Sequence, residues 1–494
     1  MKNAGSYSGM KITVMGLGLN GGGLESARYL AGKGALVTVT DTKDEKALAP
    51  SIETLENDDG IRGRIRYVLG RHETEDFTGA DIVIKNPGVR ADSPYLASSR
   101  RIETDISLFL AASPARLVAV TGSKGKSGTA SAVHYTLEKA RENGLAEGKA
   151  RLGGNITVSP LRFLDTLEEK DDVVLELSSW QLGDLRLCGK GGTLKPRCAI
   201  ITSIMRDHQD RYAGMEDYVN DKREIYRRQD KTDLTVATAD DEWGKSFLRE
   251  SHGRALPFSE RPLPEAEAGG WVSAGGPGFV RLFPGAAPVP AVPAGPAVPG
   301  RVHKKNLLAA ALALLDLGFE PDFVRENLGA FPGIEHRLEL FHETAGVRFY
   351  NDSAATIPEA AAAAVEALAG DNGERPLVLV AGGADKNLGY GPLVEAAARA
   401  KGVVLLEGSG SAKIVPLLRA AGVPFLGPFD DLEKAVTRAV EKAGDLAAAM
   451  SGQPVYVVLS PGCASFGMFR NEFDRGQKWK EAVTRLSRRL LRRP

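Results

Sequence analysis

A chain of 494 residues is too long for one ordinary core and divides into two to four domains. Its 63 Lys and Arg balance 63 Asp and Glu, so no global field draws it to nucleic acid or to an anionic membrane. Three scattered cysteines (Cys188, Cys198, Cys463), with no CxxC pair, exclude a disulfide framework and fit a reducing cytoplasm.

The chain opens on polar residues, so no signal peptide is expected, and Ala-rich runs such as Asn306 to Leu315 are too short to span a bilayer. The first segment (residues 1–115) starts with the strand pattern Ile12-Thr13-Val14-Met15, which runs into the turn Gly16-Leu17-Gly18-Leu19-Asn20-Gly21-Gly22-Gly23. A helix pattern follows (Leu24, Ala27, Leu30), then the strand Leu36 to Thr40, closed by Asp41. Strand, glycine turn, helix and a strand ending in an acid make a Rossmann-like βαβ unit. The glycines let the backbone approach a pyrophosphate, and Asp41 is placed to accept from a sugar hydroxyl or a base N–H. The strand Asp81 to Lys85 delivers a second loop, Asn86-Pro87-Gly88-Val89, to the same sheet edge. The glycine pattern does not choose between NAD and a nucleotide sugar.

The second segment (116–331) begins with the strand Leu117 to Val120 and the loop Thr121-Gly122-Ser123-Lys124-Gly125-Lys126-Ser127, followed by a helix pattern from Thr129. Backbone N–H groups and a helix N-terminus in that order hold phosphate oxygens, Lys126 reaches the outer phosphates, and Ser127 is a Mg²⁺ ligand. The spacing T-G-x-x-G-K-S is two residues shorter than the usual phosphate loop. Beyond it, the strand Asp172 to Leu177 places Glu176 where a carboxylate holds Mg²⁺ directly or through water. Another strand, Ala199 to Ile204, leads to Asp207-His208-Gln209-Asp210-Arg211, and Met215 to Arg227 reads as a helix carrying Lys222. Ten of the 27 prolines fall in residues 251 to 300, which read as a hairpin-bearing loop region on the surface. Helical periodicity returns at Asn306.

The third segment (332–494) carries strands Leu377–Val380, Gly402–Leu406 and Val455–Leu459, each followed by a polar loop. A further strand ends in Asn351-Asp352-Ser353. Polar loops after apolar strands put one working edge on an open α/β sheet. The predicted order is a Rossmann-like domain, a central phosphate-loop ATPase-like α/β domain, and a C-terminal Rossmann-like α/β domain that could close over both.

This ordered set resembles the ATP-dependent Mur ligases, which add amino acids to the muramoyl peptide precursor of bacterial cell wall, and the resemblance covers essentially the whole chain. It implies that Thr121 to Ser127 bind ATP and that Glu176, with Ser127, serves one Mg²⁺. His208 of Asp-His-Gln-Asp-Arg and a carbamylated Lys222 would serve a second. Asn155 of the Gly154-Asn155 pair would lie near the reacting groups. His336-Arg337 with Glu339 matches the motif entering the last domain, where Arg337 and Asp352 would bind ATP, Asp352 at the ribose. Lys386 of the Gly-Gly-x-Asp-Lys loop and Ser465 of Ser-Pro-Gly-Cys-Ala-Ser would face the substrate. In the first domain Asp41 and Thr42 would meet uracil or ribose, and the turn from Gly18 the diphosphate. The implied reaction joins glutamate, D-glutamate in the first instance, to the alanine carboxylate of UDP-N-acetylmuramoyl-L-alanine through an acyl phosphate. Small-molecule substrates, a monomer, a cytoplasmic location, no nucleic acid and no membrane insertion go with it.

Three positions depart from the family pattern. Ala354 stands where glutamate-adding members have a lysine. Glu472 stands where an aromatic is usual, with Phe473 one residue later, and the His-Asn pair before the Asn306 helix is reduced to Val302-His303. The acceptor therefore stays open between D-glutamate, L-glutamate and another amino acid. A non-catalytic UDP-sugar or ATP-binding regulator is the alternative outside enzymology. A hydride-transfer enzyme leaves the Lys126–Ser127 loop without a purpose, and folate-adding relatives begin directly with the ATP domain.

Overall fold

The computed structural model describes residues 7–19, 21–155, 158–189, 193–207, 211–273, 276–370, 373–450 and 452–490. Its apolar runs become strands of three sheets. The first contains β1 (Lys11–Met15), β2 (Leu36–Asp41), β3 (Ile65–Leu69), β4 (Ile82–Lys85) and β5 (Ile102–Glu103), all parallel, in the order β3-β2-β1-β4-β5. Parallel neighbours need long crossovers, and helices such as Gly22–Gly32 supply them. That helix packs tightly because of Gly23, where a Cβ would stand 2.1 Å from the Gly16 carbonyl oxygen.

The second sheet has nine strands: β6 (Arg116–Thr121), β7 (Ala150–Gly154), β8 (Asp172–Glu176), β9 (Cys198–Ile201), β10 (Leu234–Thr238), β11 (Arg254–Ser259), β12 (Gly269–Val272), β13 (Gly278–Arg281) and β14 (Val289–Val292). Their order is β14-β13-β12-β11-β10-β9-β6-β8-β7. Strand β6 therefore lies between β9 and β8, strands far from it in sequence, so their carboxyl-end loops meet at one crevice. The hairpin expected within residues 251 to 300 is present as β12 and β13, but with β11 and β14 the region extends this sheet rather than forming a surface loop. Strands β12, β13 and β14 form an antiparallel meander that buries Trp271, Val280, Ala291 and Val292. Pro290 sits in the outermost strand, the place a sheet tolerates a residue with no N–H. Lys222 closes a shorter helix than expected, Met215–Lys222, followed by a 3₁₀ turn at Arg223–Ile225.

The first two sheets belong to one compact unit, Met1–Ala294 with Lys305–Leu328. Their cores merge: Ile106 and Phe109 from the helix Asp105–Ala112 pack with Leu161 and Leu164, and the Phe109 and Phe163 rings meet edge to face at 6.1 Å. The second unit comprises Gly295–Lys304 and Gly329–Pro494, so the division falls inside the helix Arg301–Asp316. In the first unit, residues Leu307 to Leu315 of that helix are all buried, as its unbroken apolar sequence requires.

The third sheet contains β15 (Glu339–Thr344), β16 (Val347–Asn351), β17 (Leu377–Gly382), β18 (Gly402–Leu406), β19 (Leu426–Phe429) and β20 (Val455–Leu459), ordered β15-β16-β20-β17-β18-β19. One antiparallel strand, β15, joins the expected parallel set. The two-residue turn Ala345-Gly346 makes the hairpin, with φ of 49° and 74°, the left-handed pair that matches strand twist. Among the described residues no helix is long and apolar enough to cross a membrane.

Gly23→Ala places a methyl group against fixed backbone at Gly16 and is expected to cost about 1–3 kcal/mol. Urea unfolding followed by far-ultraviolet dichroism measures it; an unchanged midpoint would show that the helix can move away from β1.

Candidate active site

The loop after β6 is built by its glycines. At Gly122 (φ 145°) a Cβ would lie 2.0 Å from Thr202 Oγ1, and at Gly125 (φ 87°) 2.4 Å from Asn306 Oδ1. Gly125 caps the helix Lys126–Glu142, which directs its first N–H groups and positive dipole end to the loop. Ser123 is used internally: its Oγ accepts from the Met205 N–H at 2.9 Å and lies 2.8 Å from the Tyr218 hydroxyl. Thr121 donates through Oγ1 to the Leu177 carbonyl at 2.7 Å. Lys124 is exposed, and Lys126 and Ser127 are half-buried in the first helical turn.

Two ammonium groups converge on this loop. Lys126 Nζ donates to the Gly122 carbonyl at 2.9 Å, and Lys222 Nζ donates to the same oxygen at 3.0 Å. Lys222 is buried beneath it, and its Nζ lies 4.5 Å from the Tyr218 ring centroid. Burial, reinforced by the charge of Lys126, pushes the Lys222 amine down to about 7. Glu176 ends β8 on the other side of the loop, buried; Oε1 accepts from Asn155 Nδ2 at 2.8 Å, whereas Oε2 has no hydrogen-bond partner among the described residues. Gly154 makes the approach of Asn155 possible, since a Cβ there would fall 2.2 Å from the Glu176 carbonyl. A buried, half-satisfied carboxylate beside two lysines and a helix N-terminus fits a polyphosphate with its cation. His208, assigned from the sequence to the same site, lies outside the described residues.

The expected residues of the first domain gather at the edge of its own sheet. Asp41 is committed to backbone: Oδ2 accepts from Leu17 N (2.9 Å) and Gly18 N (3.2 Å), and Oδ1 from Lys43 N (3.0 Å). Its carboxylate therefore shapes the glycine turn, a task its position at a strand end did not announce. Gly18 takes φ of 61°, and Thr42 is exposed beside Asp41.

Within the second unit, Asp352 follows β16. It accepts from Leu338 N at 3.0 Å and from Ser460 Oγ at 2.6 Å, and burial pushes its carboxyl up to about 7. Arg337 is exposed and close enough to oppose that shift. Lys386 Nζ donates to Thr356 Oγ1 at 2.9 Å, and Ser465 is buried. The structure thus gathers Thr121 to Lys126, Asn155, Glu176 and Lys222 in one place, Gly18 with Asp41 in a second, and Arg337 with Asp352 in a third.

Several side chains at these places have no motif to reveal them. Asn306 backs the Gly125 turn, and Tyr218 supports both Ser123 and Lys222. Arg475, fully buried, donates to the Ser353 hydroxyl (2.9 Å), the Ser353 carbonyl (2.8 Å) and the Cys463 carbonyl (3.1 Å), tying two loops of the third sheet together. A basic residue two positions after one aromatic, Phe473, and four before another, Trp479, in a C-terminal helix is an ordinary surface pattern, so its sequence carries no such signal.

Comparison with known proteins agrees along the chain. Residues 10–107 match the Mur ligase MurD-like N-terminal domain, 120–269 the Mur ligase middle domain, and 336–451 the Mur ligase glutamate ligase domain. The UDP-N-acetylmuramoylalanine–D-glutamate ligase of Treponema pallidum is 41% identical over 96% of this chain and 97% of its own length. The ligase of the same name from Roseiflexus is 38% identical over 96% and 98%. Among solved structures, the UDP-N-acetylmuramate-alanine ligase MurC of Thermotoga maritima shares the fold, with a TM-score of 0.53 at 19% identity over 97% of this chain and 100% of its own. MurF of Acinetobacter baumannii does so at a TM-score of 0.51 and 15% identity, over 96% and 94%. Three consecutive domain matches and full-length relatives above 30% identity, on a sheet edge that gathers the phosphate loop, Glu176 and Lys222, mean that this chain belongs to the Mur ligase family.

Proposed function

We propose that the protein is an ATP-dependent ligase that joins D-glutamate to the alanine carboxylate of UDP-N-acetylmuramoyl-L-alanine in peptidoglycan synthesis. The observation that carries the chemistry is the pair of ammonium groups on the Gly122 carbonyl opposite the half-satisfied Glu176. Two amines so placed, one of them already pushed down, fit an anion bound between them or conversion of Lys222 to an anionic group. A bound triphosphate supplies the first; a carbamate on Lys222 supplies the second. With an amine pushed down to about 7, Lys222 has a large neutral fraction able to add CO₂ at neutral pH. The choice of D-glutamate rests on the relatives named for it, at 41% and 38% identity, over the L-glutamate alternative suggested by Ala354.

In this reading residues 1–115 hold the UDP end, residues 116–331 the ATP, and residues 332–494 the incoming amino acid. The carboxylate oxygen of the muramoyl substrate attacks the γ-phosphorus, giving an acyl phosphate and ADP. Lys126 and the helix N-terminus offset charge spreading over the transferred phosphoryl oxygens. A divalent cation such as Mg²⁺ reduces repulsion between phosphate and carboxylate when bound; Ser127, Glu176, carbamylated Lys222 and His208 are the residues to hold it. Asn155, bonded to Glu176, orients the acceptor carboxylate. The glutamate amine then attacks the acyl carbon, loses a proton, and phosphate departs. Asp352 and Arg337 serve the ATP ribose and phosphates, and Lys386 and Ser465 the amino-acid side. The protein works in the cytoplasm as a monomer on small molecules, without nucleic acid.

Phosphate release should require the UDP substrate and D-glutamate together, measured against a panel with L-glutamate and other amino acids. Release with L-glutamate alone would move the acceptor assignment; none with any amine would end the ligase reading. Lys126→Ala is expected to abolish turnover while leaving UDP-substrate binding within about threefold, by calorimetry, since uniform binding and phosphoryl stabilisation are separate terms. Lys222→Ala should lose activity and regain part of it with a short added carboxylate; full activity without additive would dispose of the carbamate. Lys222 also has a stability signature. Its folded pKa lies below the ordinary 10.5, so the unfolded chain binds more protons between about 7 and 10.5, and stability declines as pH falls through that window. In CO₂-free buffer Lys222→Met should therefore melt a few degrees higher than wild type at pH 7, with the gap closing above pH 10; calorimetric scans at both pH values decide it.

A further inference from the structure

Two cations cross the boundary between the first and second sheets in opposite directions. Lys85, the last residue of β4, is completely buried and sends Nζ to Asp184 Oδ2 of the helix Ser179–Asp184, at 2.5 Å. Arg211 comes the other way. Its two terminal nitrogens donate to the Pro87 carbonyl (3.2 Å) and the Val89 carbonyl (3.1 Å), with the guanidinium lying 4.2 Å from the Trp180 ring centroid. Arg211 ends on the turn Asn86–Val89, and Lys85 immediately precedes that turn, its Nζ also 3.5 Å from the Asn86 carbonyl. That turn is bound in turn to the glycine loop of the first sheet: Asn86 Nδ2 donates to the Gly16 carbonyl at 3.1 Å, and a Cβ at Gly16 would press on Asn86 and Val89.

At their other ends the straps are anchored beside the elements that carry Glu176 and Lys222. Asp184 closes the helix that begins three residues beyond Glu176. Asp221, the neighbour of Lys222, binds the Tyr212 hydroxyl at 2.8 Å and pairs with Arg186, two residues after Asp184. The boundary beside the straps is not close-packed: a cavity of about 290 Å³ opens there, lined by Arg90, Trp180, Asp184 and Arg211 among others. Val89 packs the turn against its own sheet, but across the boundary the turn is held by directional bonds.

We infer that Lys85 and Arg211 are positioning residues, which set the distance between the turn holding the UDP substrate and the site where its carboxylate meets the γ-phosphate. The inference rests on the ligase reading above. Neither residue is required to touch reacting atoms. Their work is geometric, and rate is steep in geometry, since a misplacement of about 1 Å costs on the order of a hundredfold. Contacts between the UDP end and its own sheet are untouched by loss of a strap, so affinity for that substrate should hold while the chemical step slows.

The test uses the full chain with Arg211→Lys, Lys85→Met, and the double variant Lys85→Met with Asp184→Leu. The last removes both members of the buried pair, so it leaves neither of those two charges unpartnered, as Lys85→Met alone would. For each we would measure kcat with all substrates saturating, KM for ATP, Kd of UDP-N-acetylmuramoyl-L-alanine by calorimetry without ATP, and Tm. The expected result is a kcat at least about tenfold below wild type in the double variant and in Arg211→Lys, with Kd and KM for ATP within about threefold. A double variant with wild-type Tm and a kcat within threefold of wild type would overturn the inference. So would a Kd that weakens in the same proportion as kcat/KM, which would make the straps part of substrate binding. A wild-type enzyme that releases no phosphate with the UDP substrate and any amine sinks the ligase reading itself, and this inference falls with it.

Discussion

Two lysine ammonium groups donating to one carbonyl oxygen set the terms for the rest of this molecule. Lys126 enters from the first turn of a helix and Lys222 from the end of another, and both point at Gly122. Such a juxtaposition is costly in a buried place and persists because the surrounding structure over-determines it. Gly122 and Gly125 are pinned by Thr202 and Asn306, Ser123 is bonded to the exit from β9, and Tyr218 lies under Lys222. The site is thus held ready for negative charge, and the half-satisfied Glu176 across from it is held ready for positive charge. An electrostatic arrangement fixed before the ligand arrives is what phosphoryl transfer uses, because little covalent chemistry is left for the protein to do.

Acyl transfer from a large nucleotide-linked substrate adds a second demand, which is alignment across two sheets. The merged core around Ile106, Phe109 and Leu161 supplies bulk stability to that boundary, but apolar contact is non-directional. Directional bonds appear where the two working edges face each other, at Lys85–Asp184 and at Arg211 on the Asn86–Val89 turn. A buried ion pair is a poor way to gain stability, since desolvation offsets most of its attraction. Its value here lies in fixing one arrangement. The same economy appears in the second unit, where Arg475 is buried to tie the Ser353 and Cys463 loops together.

Asp41 shows how a reasonable assignment changes when backbone is counted. An acid at a strand end after a glycine turn reads as a ligand for a sugar or base. In the folded chain the carboxylate receives three backbone N–H groups and holds the turn in its left-handed shape. Any contact it makes with substrate is added to that task.

From the sequence by itself came the three α/β segments, the phosphate loop, Glu176 at its strand end, Lys222 on its helix, and the Asn86–Val89 loop at the first sheet's edge. These are local matters, because apolar runs, glycines and the order of strand, loop and helix are written contiguously. Tertiary structure decided what depends on partners distant in the chain. It placed β6 between β9 and β8, turned the proline-rich residues 251 to 300 into the meander that widens the second sheet, and added the antiparallel strand β15 through a turn, Ala345-Gly346, that lacks the usual Asn-Gly signal. It also brought Lys85 to Asp184 and Arg475 to Ser353, pairs separated by 99 and 122 residues. Nothing in a lysine after an apolar strand tells whether it meets water or a buried carboxylate. That is settled by which surface the fold lays against it, and desolvation then decides what the charge is worth.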